Sequence, residues 1–319
     1  MKIAAGIDIG GTNTVFGLVD ENGNIIHRDS ISTKKYTNAE ELAKASSEKI
    51  REALSNPKFE LRNSNFTGVG IGAPNGNYFN GTIEFAPNLN WKGVIPLAAY
   101  FEKYTNVKAV LTNDANAAAM GEMIFGAAKG MKDFLFITLG TGLGSGVVVN
   151  GEMVYGHDGF AGELGHVIVE RKGRYCGCGR QGCLETYCSA TGIVKTYAEL
   201  KVESLSKEGK LNILSLGEEI TAKTIYERAQ KGESEALESF RRTGEILGAA
   251  LANTVAITSP EAIFLFGGLA QAGDFIFKPT VKYFEENLLN IYRNKIKILP
   301  SMLNENDAAI LGAASLVFK

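Results

Sequence analysis

Two segments of this 319-residue chain share one pattern, in which a buried strand runs into a glycine turn that contains a Thr and continues as a second strand. The first copy covers residues 3–20 and the second covers residues 133–151. The copies are too short and too divergent to count as a sequence repeat. Two copies of one strand–turn device predict two similar α/β halves that face a common cleft.

The remaining segments alternate between strand-like and helix-like patterns. Apolar positions at helical spacing cover residues 39–54, whereas strands are predicted at 68–74 and 108–114, the second of which leads into a predicted helix (AAAMGEM). Further along are a helix-rich stretch at 186–256, a strand at 262–266, a strand near 296–299 and a last helix from about Asp307. This order predicts an α/β fold.

Composition and charge argue against several classes of protein. The formal net charge is −2, so the overall balance gives no reason to expect a nucleic acid or an anionic membrane as a partner. The N-terminus carries one Lys and a short apolar run that Asp8 interrupts, which is unlike a signal peptide. No stretch approaches the ~18 uninterrupted apolar residues of a membrane helix. We therefore expect a cytoplasmic protein.

Both glycine turns could hold phosphate groups. Because glycines have no Cβ atom, they let the backbone N–H groups of a turn approach an anion closely. Thr141 adds a hydroxyl donor to the second turn. Asp8, at the end of the first strand, could hold a hydrated Mg²⁺. The alternative is that both turns are ordinary hairpins, because glycine loops are common. A G-x-G-x-x-G is present from Gly177 to Gly182, but it lies between cysteines and is coincidental.

The cysteines are crowded into one short segment. All four lie between residues 176 and 188, which in a large chain indicates a metal site rather than a disulfide framework. Three thiolates and one imidazole make the Cys₃His set of a structural Zn²⁺ site, here Cys176, Cys178, Cys183 and His166. Cys188 could replace His166, but it falls in a predicted helix and can be a core residue. The alternative is a loop of free thiols.

Asn113 and Asp114 end a predicted strand, where side chains of α/β folds project towards ligands. Transfer of a phosphoryl group to a hydroxyl needs a carboxylate that accepts the proton, so Asp114 is the candidate base. The competing interpretation is that Asp114 caps the next helix, and both roles can hold together. Glu163, His166 and Glu185 could bind hydroxyls of a polyol, with zinc on one ring nitrogen of His166 and the polyol on the other.

These motifs resemble those of the ROK group of sugar kinases and repressors, within the actin/hexokinase-like ATPase superfamily. The resemblance covers essentially the whole chain, with the two phosphate motifs at 8–13 (DIGGTN) and 139–146 (LGTGLGSG) and the base motif at 113–119 (NDANAAA). The zinc signature CxCGxxGCxE is very specific, and it is met at every fixed position by Cys176, Cys178, Gly179, Gly182, Cys183 and Glu185. Asn75 departs from the pattern, since many members have a glycine after GxP.

The resemblance implies a two-domain actin/hexokinase-like ATPase fold with ribonuclease H-like α/β halves. It implies an interdomain cleft that closes on a sugar. On this basis we predict a small domain at 1–115 together with 305–319, and a large domain with the zinc site at 116–304. A homodimer or homotetramer is also implied.

The resemblance further implies ATP-dependent phosphorylation of a hexose at its 6-hydroxyl, with glucose as the first choice and with Mg²⁺ and a structural Zn²⁺. Asp114 is implied as the base. Sugar contacts are implied for Asn88, Asn113, Asp114, Glu163, His166 and Glu185. Nucleotide contacts are predicted for Asp8, Gly10, Gly11, Thr12, Asn13, Gly140, Thr141, Gly142, Gly267 and Gly268.

Three alternatives stay open. The first is a kinase for another hexose, such as N-acetylglucosamine, N-acetylmannosamine, mannose or fructose, because the contacting residues are shared. The second is a sugar-sensing transcriptional regulator that lacks its DNA-binding domain; repressors of the group add an N-terminal helix-turn-helix, for which the motif at Asp8 leaves no room. The third is a non-enzymatic sugar-binding scaffold, against which Asp114 and both glycine turns argue.

Overall fold

The computed structural model describes residues 1–59, 61, 64–207 and 220–318. The strands are β1 (Lys2–Ile9), β2 (Asn13–Asp20), β3 (Ile25–Ser32), β4 (Asn65–Ala73), β5 (Gly76–Asn77), β6 (Thr82–Glu84), β7 (Val94–Ile95), β8 (Ala109–Asn113), β9 (Phe134–Leu139), β10 (Leu143–Val149), β11 (Glu152–Met153), β12 (Ala262–Phe266) and β13 (Lys297–Pro300). The helices are α1 (Ala39–Ser55), α2 (Leu97–Thr105), α3 (Asp114–Phe125), α4 (Ala190–Lys207), α5 (Ala222–Gln230), α6 (Ser234–Thr258), α7 (Asp274–Asn287) and α8 (Glu305–Phe318). Among the described helices, none has the length and apolar character that a membrane crossing requires.

The chain divides into two compact units. Unit 1 contains Met1–Lys132, Gly146–Gly162 and Ser301–Lys319, and unit 2 contains Asp133–Ser145 and Glu163–Pro300. The C-terminal segment is therefore counted with the N-terminal residues, and so is α3, which lies mostly beyond residue 115. The predicted domain boundaries and the predicted cleft stay predictions.

Unit 1 is built on a five-stranded sheet with the order β3-β2-β1-β4-β8. The first three strands are antiparallel, which agrees with the predicted strand–turn–strand at 3–20, whereas β4 and β8 run parallel to β1. Residues 3–7 of β1 and 68–73 of β4 are all buried. Parallel strands that are covered on both faces have continuous apolar sequences, which is why these two strands could be predicted.

The second sheet has the order β11-β10-β9-β12-β13. Within unit 2, β12 runs parallel to both β9 and β13, and buried Phe134 and Phe264 meet edge to face with centroids 5.8 Å apart. Strand β12 matches the predicted strand at 262–266, and α8 begins two residues before the predicted start. The predicted helix-rich stretch is α4 to α6 where the structure describes it; residues 208–219 of that stretch lie outside the described residues.

Helix α8 lies directly against the unit 1 sheet because two strand residues have no side chain. A Cβ atom on Gly6 or on Gly70 would overlap backbone carbonyl oxygens of α8. The same helix meets α3 backbone to backbone, since a Cβ on Gly121 would lie 2.9 Å from the Cα of Gly312. The position of α3 therefore depends on glycines in the sheet and in both helices.

The departure from the family pattern at Asn75 fits the backbone. Asn75 has a φ of 51°, in the left-handed region that Asn enters more readily than most residues other than Gly. Its side-chain amide donates to Glu84 O at 3.0 Å, and Glu84 N donates back to Asn75 O at 3.1 Å. Asn75 thus keeps the conformation that a glycine would adopt there and adds a side-chain hydrogen bond.

We predict that Gly70→Ala lowers the free energy of unfolding by about 1–3 kcal/mol, the usual range for an overpacked core. The reason is that the new methyl group would overlap Ala313 O. Thermal unfolding followed by circular dichroism measures the change. Gly140→Ala is the matched control, since a Cβ there meets nothing within 4 Å. An unchanged melting temperature for Gly70→Ala would show that α8 does not need this close approach.

Candidate active site and metal centre

Three parallel strands of unit 1 bring Asp8 and Asp114 together. Asp8 of β1 is in register with Gly72 of β4, and Gly72 is in register with Thr112 of β8, two residues before Asp114. A Cβ on Gly72 would lie 3.7 Å from Asp8 Oδ1 and 3.6 Å from Asp114 Cα. Two acidic residues therefore flank a position without a side chain, at the carboxyl edge where α/β sheets bind ligands.

The cap of α3 is Asn113, one residue before the predicted cap Asp114. The Asn113 side chain accepts a hydrogen bond from Ala115 N at 2.9 Å, and its backbone is extended. Asp114 is the first helical residue, and its Oδ1 also accepts from Ala115 N, at 2.8 Å. The sequence offers two adjacent residues that can cap, and the one with extended backbone takes the role.

The environment of the two aspartates favours their protonated forms. Asp8 is half-buried and the Asp114 side chain is exposed, yet protein surrounds both carboxyls at longer range and replaces much of the bulk water. This desolvation, and after it the charge of Asp114, raises the pKa of Asp8 to about 7. Desolvation also raises the pKa of Asp114, while the hydrogen bond from Ala115 N opposes the shift. A carboxyl whose pKa is about 7, as for Asp8, is a candidate for proton transfer near neutral pH.

The first glycine turn is held by local contacts. Gly10 N donates to Asn13 O at 3.0 Å, which closes the turn. A Cβ on Gly11 would lie 2.6 Å from Asn88 O, so Gly11 lets the turn approach the loop that carries Asn88. Exposed Thr12 accepts a backbone hydrogen bond from Thr33 N at 2.9 Å. The predicted nucleotide turn and the predicted sugar ligand Asn88 are therefore neighbours within unit 1.

The second glycine turn lies in unit 2, between β9 and β10, and is held by residues distant in sequence. Ala190 N donates to Gly140 O at 2.8 Å, and the Thr191 hydroxyl donates to Thr141 O at 2.9 Å. Leu143 N donates to Glu185 Oε2 at 3.2 Å, and a Cβ on Gly142 would overlap that oxygen. The glycine at 142 thus lets a carboxylate sit against the turn.

Gly267 and Gly268, which are predicted to contact the nucleotide, lie near the second turn. Gly267 follows β12, has a φ of 100°, and a Cβ on it would lie 2.9 Å from Leu139 O at the end of β9. Leu269 N donates to the same carbonyl at 3.2 Å. Gly268 has nothing within 4 Å of its Cβ position. The strand ends that precede both glycine segments are therefore adjacent within unit 2.

Four potential metal ligands meet in unit 2, three from the zinc signature and one from His166. One ligand atom from each of His166, Cys176, Cys178 and Cys183 lies within 4.8 Å of all the others. The Cys176 Sγ to His166 Nδ1 distance is 3.7 Å, and the Cys178 Sγ to Cys183 Sγ distance is 3.6 Å. A tetrahedral site with Zn–S bonds of ~2.3 Å has ligand-to-ligand edges of roughly 3.5–3.8 Å. The donor set and its spacing therefore fit zinc.

Cys188 lies apart from this cluster. It is fully buried, its thiol hydrogen bonds to Thr243 O at 3.5 Å, and burial raises its pKa. The prediction that Cys188 falls in a helix is wrong, because α4 begins at Ala190, where Ser189 accepts a hydrogen bond from Gly192 N at 3.0 Å. Its interpretation as a core residue is confirmed by its burial.

Glycines allow the chain to wrap around the cluster. Gly179 and Gly182 have φ values of 88° and 78°, which L residues rarely adopt, and a Cβ on Gly182 would overlap Glu170 O. Burial tends to raise the pKa of Cys178, but hydrogen bonds from the Arg180 backbone and guanidinium, and then from the other thiols, lower it to about 6. A thiol with a lowered pKa is readily available as the thiolate that a metal binds.

Two carboxylates flank the imidazole of His166. Nδ1 is the ring nitrogen beside Cys176, and it lies 3.9 Å from Glu185 Oε1. Nε2 lies 4.0 Å from Glu163 Oε2. The ring therefore presents one nitrogen to the thiols and the other to Glu163. The sequence motifs included His166, Glu163 and Glu185 among the candidate site residues. No motif indicated Ala190 or Thr191, which hold the second glycine turn.

Comparison with known proteins places the chain in a family. Its sequence matches the ROK family over residues 4–319. It is 35% identical over 314 residues to the glucokinase of Thermotoga maritima, which covers 98% of this chain and 96% of that protein.

Solved structures agree with this match. The structure of a ROK family glucokinase from Streptomyces griseus, in complex with glucose and AMPPNP, gives a TM-score of 0.77 at 35% identity over 98% of both chains. The ROK hexokinase from Thermus thermophilus gives a TM-score of 0.80 at 26% identity, over 98% of this chain and 97% of that one. The predicted actin/hexokinase-like ATPase fold is confirmed by these neighbours. This chain is a member of the ROK family.

Proposed function

We propose that this chain is an ATP-dependent sugar kinase that transfers the γ-phosphoryl group to the 6-hydroxyl of a hexose, with glucose as its first substrate. The observation that carries the proposal is the placement of Asp114 beside Asp8 at the carboxyl edge of the unit 1 sheet, next to a glycine turn. The glucokinase relatives support glucose, while N-acetylglucosamine, N-acetylmannosamine, mannose and fructose are the alternative substrates.

Asp114 is the proposed general base. It accepts the proton of the attacking hydroxyl, and its raised pKa places it nearer the operating pH, where general bases are most effective. The cap at Asn113 fixes the first turn of α3 and so the direction of Asp114. Phosphoryl transfer depends mainly on such positioning and on charge stabilisation.

The other proposed roles follow the geometry of each unit. In unit 1, Asp8 binds Mg²⁺ through water, Asn88 and Asn113 bind sugar hydroxyls, and the first glycine turn binds phosphate. In unit 2, Glu163, His166 Nε2 and Glu185 bind sugar hydroxyls, and the second glycine turn with Gly267 and Gly268 binds nucleotide. Mg²⁺ bound at Asp8 would neutralise charge that develops on the phosphates. A cytoplasmic location and assembly into a homodimer or homotetramer stay predictions.

We expect the purified chain to release ADP from ATP–Mg²⁺ when glucose is present, and we expect Asp114→Asn to lower kcat by about 10²–10⁴-fold, the usual contribution of a general base. A coupled ADP assay over a panel of hexoses and N-acetylhexosamines measures both and ranks the substrates. The amide keeps the size of the side chain and its acceptor for Ala115 N, so the variant should still fold.

Glucose binding by calorimetry is the control for the variant and should be largely retained. Sugar binding by the wild type without ADP release for any sugar would favour a regulator or a binding scaffold. Normal turnover by Asp114→Asn would show that another group is the base.

We also propose that His166, Cys176, Cys178 and Cys183 bind a structural Zn²⁺. Elemental analysis of the purified chain should find about one zinc per chain, and its removal by a chelator should lower the melting temperature, because structural zinc contributes folding energy directly. Cys178→Ser should lose the metal, whereas Cys188→Ser should keep it, since Cys188 bonds to Thr243 O instead. Full zinc in Cys178→Ser would contradict this ligand set.

The raised pKa of Asp8 gives a pH prediction. The folded state holds a proton on Asp8 up to about pH 7, whereas the unfolded state loses it near the ordinary value of 3.8, so stability falls as the pH rises between these values. Asp8→Asn removes this loss. Its melting temperature relative to wild type should therefore rise from pH 4 to pH 7 and level off above, in metal-free buffer. Parallel curves for the two proteins would contradict the shift.

A further inference from the structure

Three hydrogen bonds hold the second glycine turn, and their partners all lie within residues 185–191. Leu143 N donates to Oε2 of Glu185, the last residue of the zinc signature, while Ala190 N donates to Gly140 O and the Thr191 hydroxyl donates to Thr141 O. The distances are 3.2, 2.8 and 2.9 Å in that order. We call Glu185, Ala190 and Thr191 the clamp.

The clamp fixes the direction in which the turn presents its amides. The peptide bonds of the turn are trans, and in a trans peptide the C=O points opposite to the N–H of the next residue. Because the carbonyls of Gly140 and Thr141 point at Ala190 and Thr191, the N–H groups of Thr141 and Gly142 point away from the clamp. Two adjacent amides that point in similar directions are the donors that an anion-binding turn needs.

Glu185 also connects the clamp to the cysteine cluster. Its Oε2 accepts from Leu143 N, while its Oε1 lies 3.3 Å from Cys176 Sγ and 3.9 Å from His166 Nδ1. The lack of a Cβ at Gly142 is what lets the carboxylate sit against the turn. One side chain thus contacts two metal-ligand candidates with one oxygen and the glycine turn with the other.

We propose that the clamp aims the amides of Thr141 and Gly142 at a nucleotide phosphate, and that the metal cluster acts on nucleotide binding by positioning Glu185. Ala190 and Thr191 are positioning residues, and Glu185 has this role beside the sugar contact proposed above. The inference rests on the proposed function in that the anion is taken to be the phosphate of ATP or ADP.

Thr191→Val gives the sharpest test. Thr191 is exposed, so the loss of its hydroxyl should leave the fold intact while it frees the carbonyl of Thr141. Without sugar, the Kd of ADP–Mg²⁺ by calorimetry should rise about 2- to 10-fold, the effect of one net hydrogen bond. In turnover, the KM for ATP should rise and the KM for the hexose should not change. Thr191→Ser, which keeps the hydroxyl, should restore wild-type values.

Thr254→Val is the matched control. Its hydroxyl also bonds to a backbone carbonyl, Ala250 O at 2.9 Å, but within helix α6 of the same unit. This variant should bind ADP as the wild type does. A wild-type ADP Kd for Thr191→Val would overturn the clamp.

Glu185 variants test the link to the metal. Glu185→Ala should weaken ADP binding, and Glu185→Gln should do so less, because the amide oxygen can still accept from Leu143 N. Chelation of the metal should also weaken ADP binding, and its effect should not add to that of Glu185→Ala, because both act through one side chain. Circular dichroism checks that the chelated protein stays folded.

The outcomes separate this inference from the proposed function. If Glu185→Ala raises only the KM for the hexose, or if its effect on ADP binding adds fully to that of chelation, the link through Glu185 is wrong while the kinase activity stands. If the wild type binds ADP and Thr191→Val weakens that binding, but no sugar is phosphorylated, the clamp stands and the proposed reaction is wrong.

Discussion

Close contact between backbones, made possible by missing side chains, determines where the candidate base lies. Gly6 and Gly70 let helix α8 rest directly on the unit 1 sheet, and Gly121 and Gly312 let α3 rest on α8. Since α3 begins at Asp114, each of these contacts contributes to the position of its carboxylate. A methyl group at any of them would have to move a helix, because packed interiors leave little space to absorb it.

The neighbouring carboxyls of Asp8 and Asp114 lower the stability of the folded state when they are ionised. Desolvation raises the pKa of Asp8 and Asp114, so each carboxylate form is held at an energetic cost near neutral pH. Two ionised neighbours add repulsion, which the Mg²⁺ proposed at Asp8 would relieve. Sites that violate the ordinary preference for solvated charge are where function is expected, and here the violation coincides with the carboxyl edge of the sheet.

Local patterns in the sequence predicted the strands and helices. They could not predict contacts between residues that are distant in sequence. The buried strands β1 and β4 were recognisable because both of their faces are covered, and the candidate metal ligands stood out because the spacing of the cysteines is short. Two errors were local: the cap of α3 is Asn113 rather than Asp114, and Cys188 precedes α4. The bond between Glu185 and Leu143 spans 42 residues, and no periodicity or motif reports such a pairing.

The two glycine turns look alike in sequence but are supported differently. In the first, Gly10 N donates to Asn13 O within the turn. That turn also packs against the loop of Asn88, and Thr12 O accepts a hydrogen bond from Thr33 N, just after β3. The second turn is held by residues 42 to 50 positions away, and one of them, Glu185, also contacts Cys176 of the candidate metal cluster. Two turns with similar motifs therefore take their support from different parts of the chain, and the second takes it from a segment that also contacts the cysteine cluster.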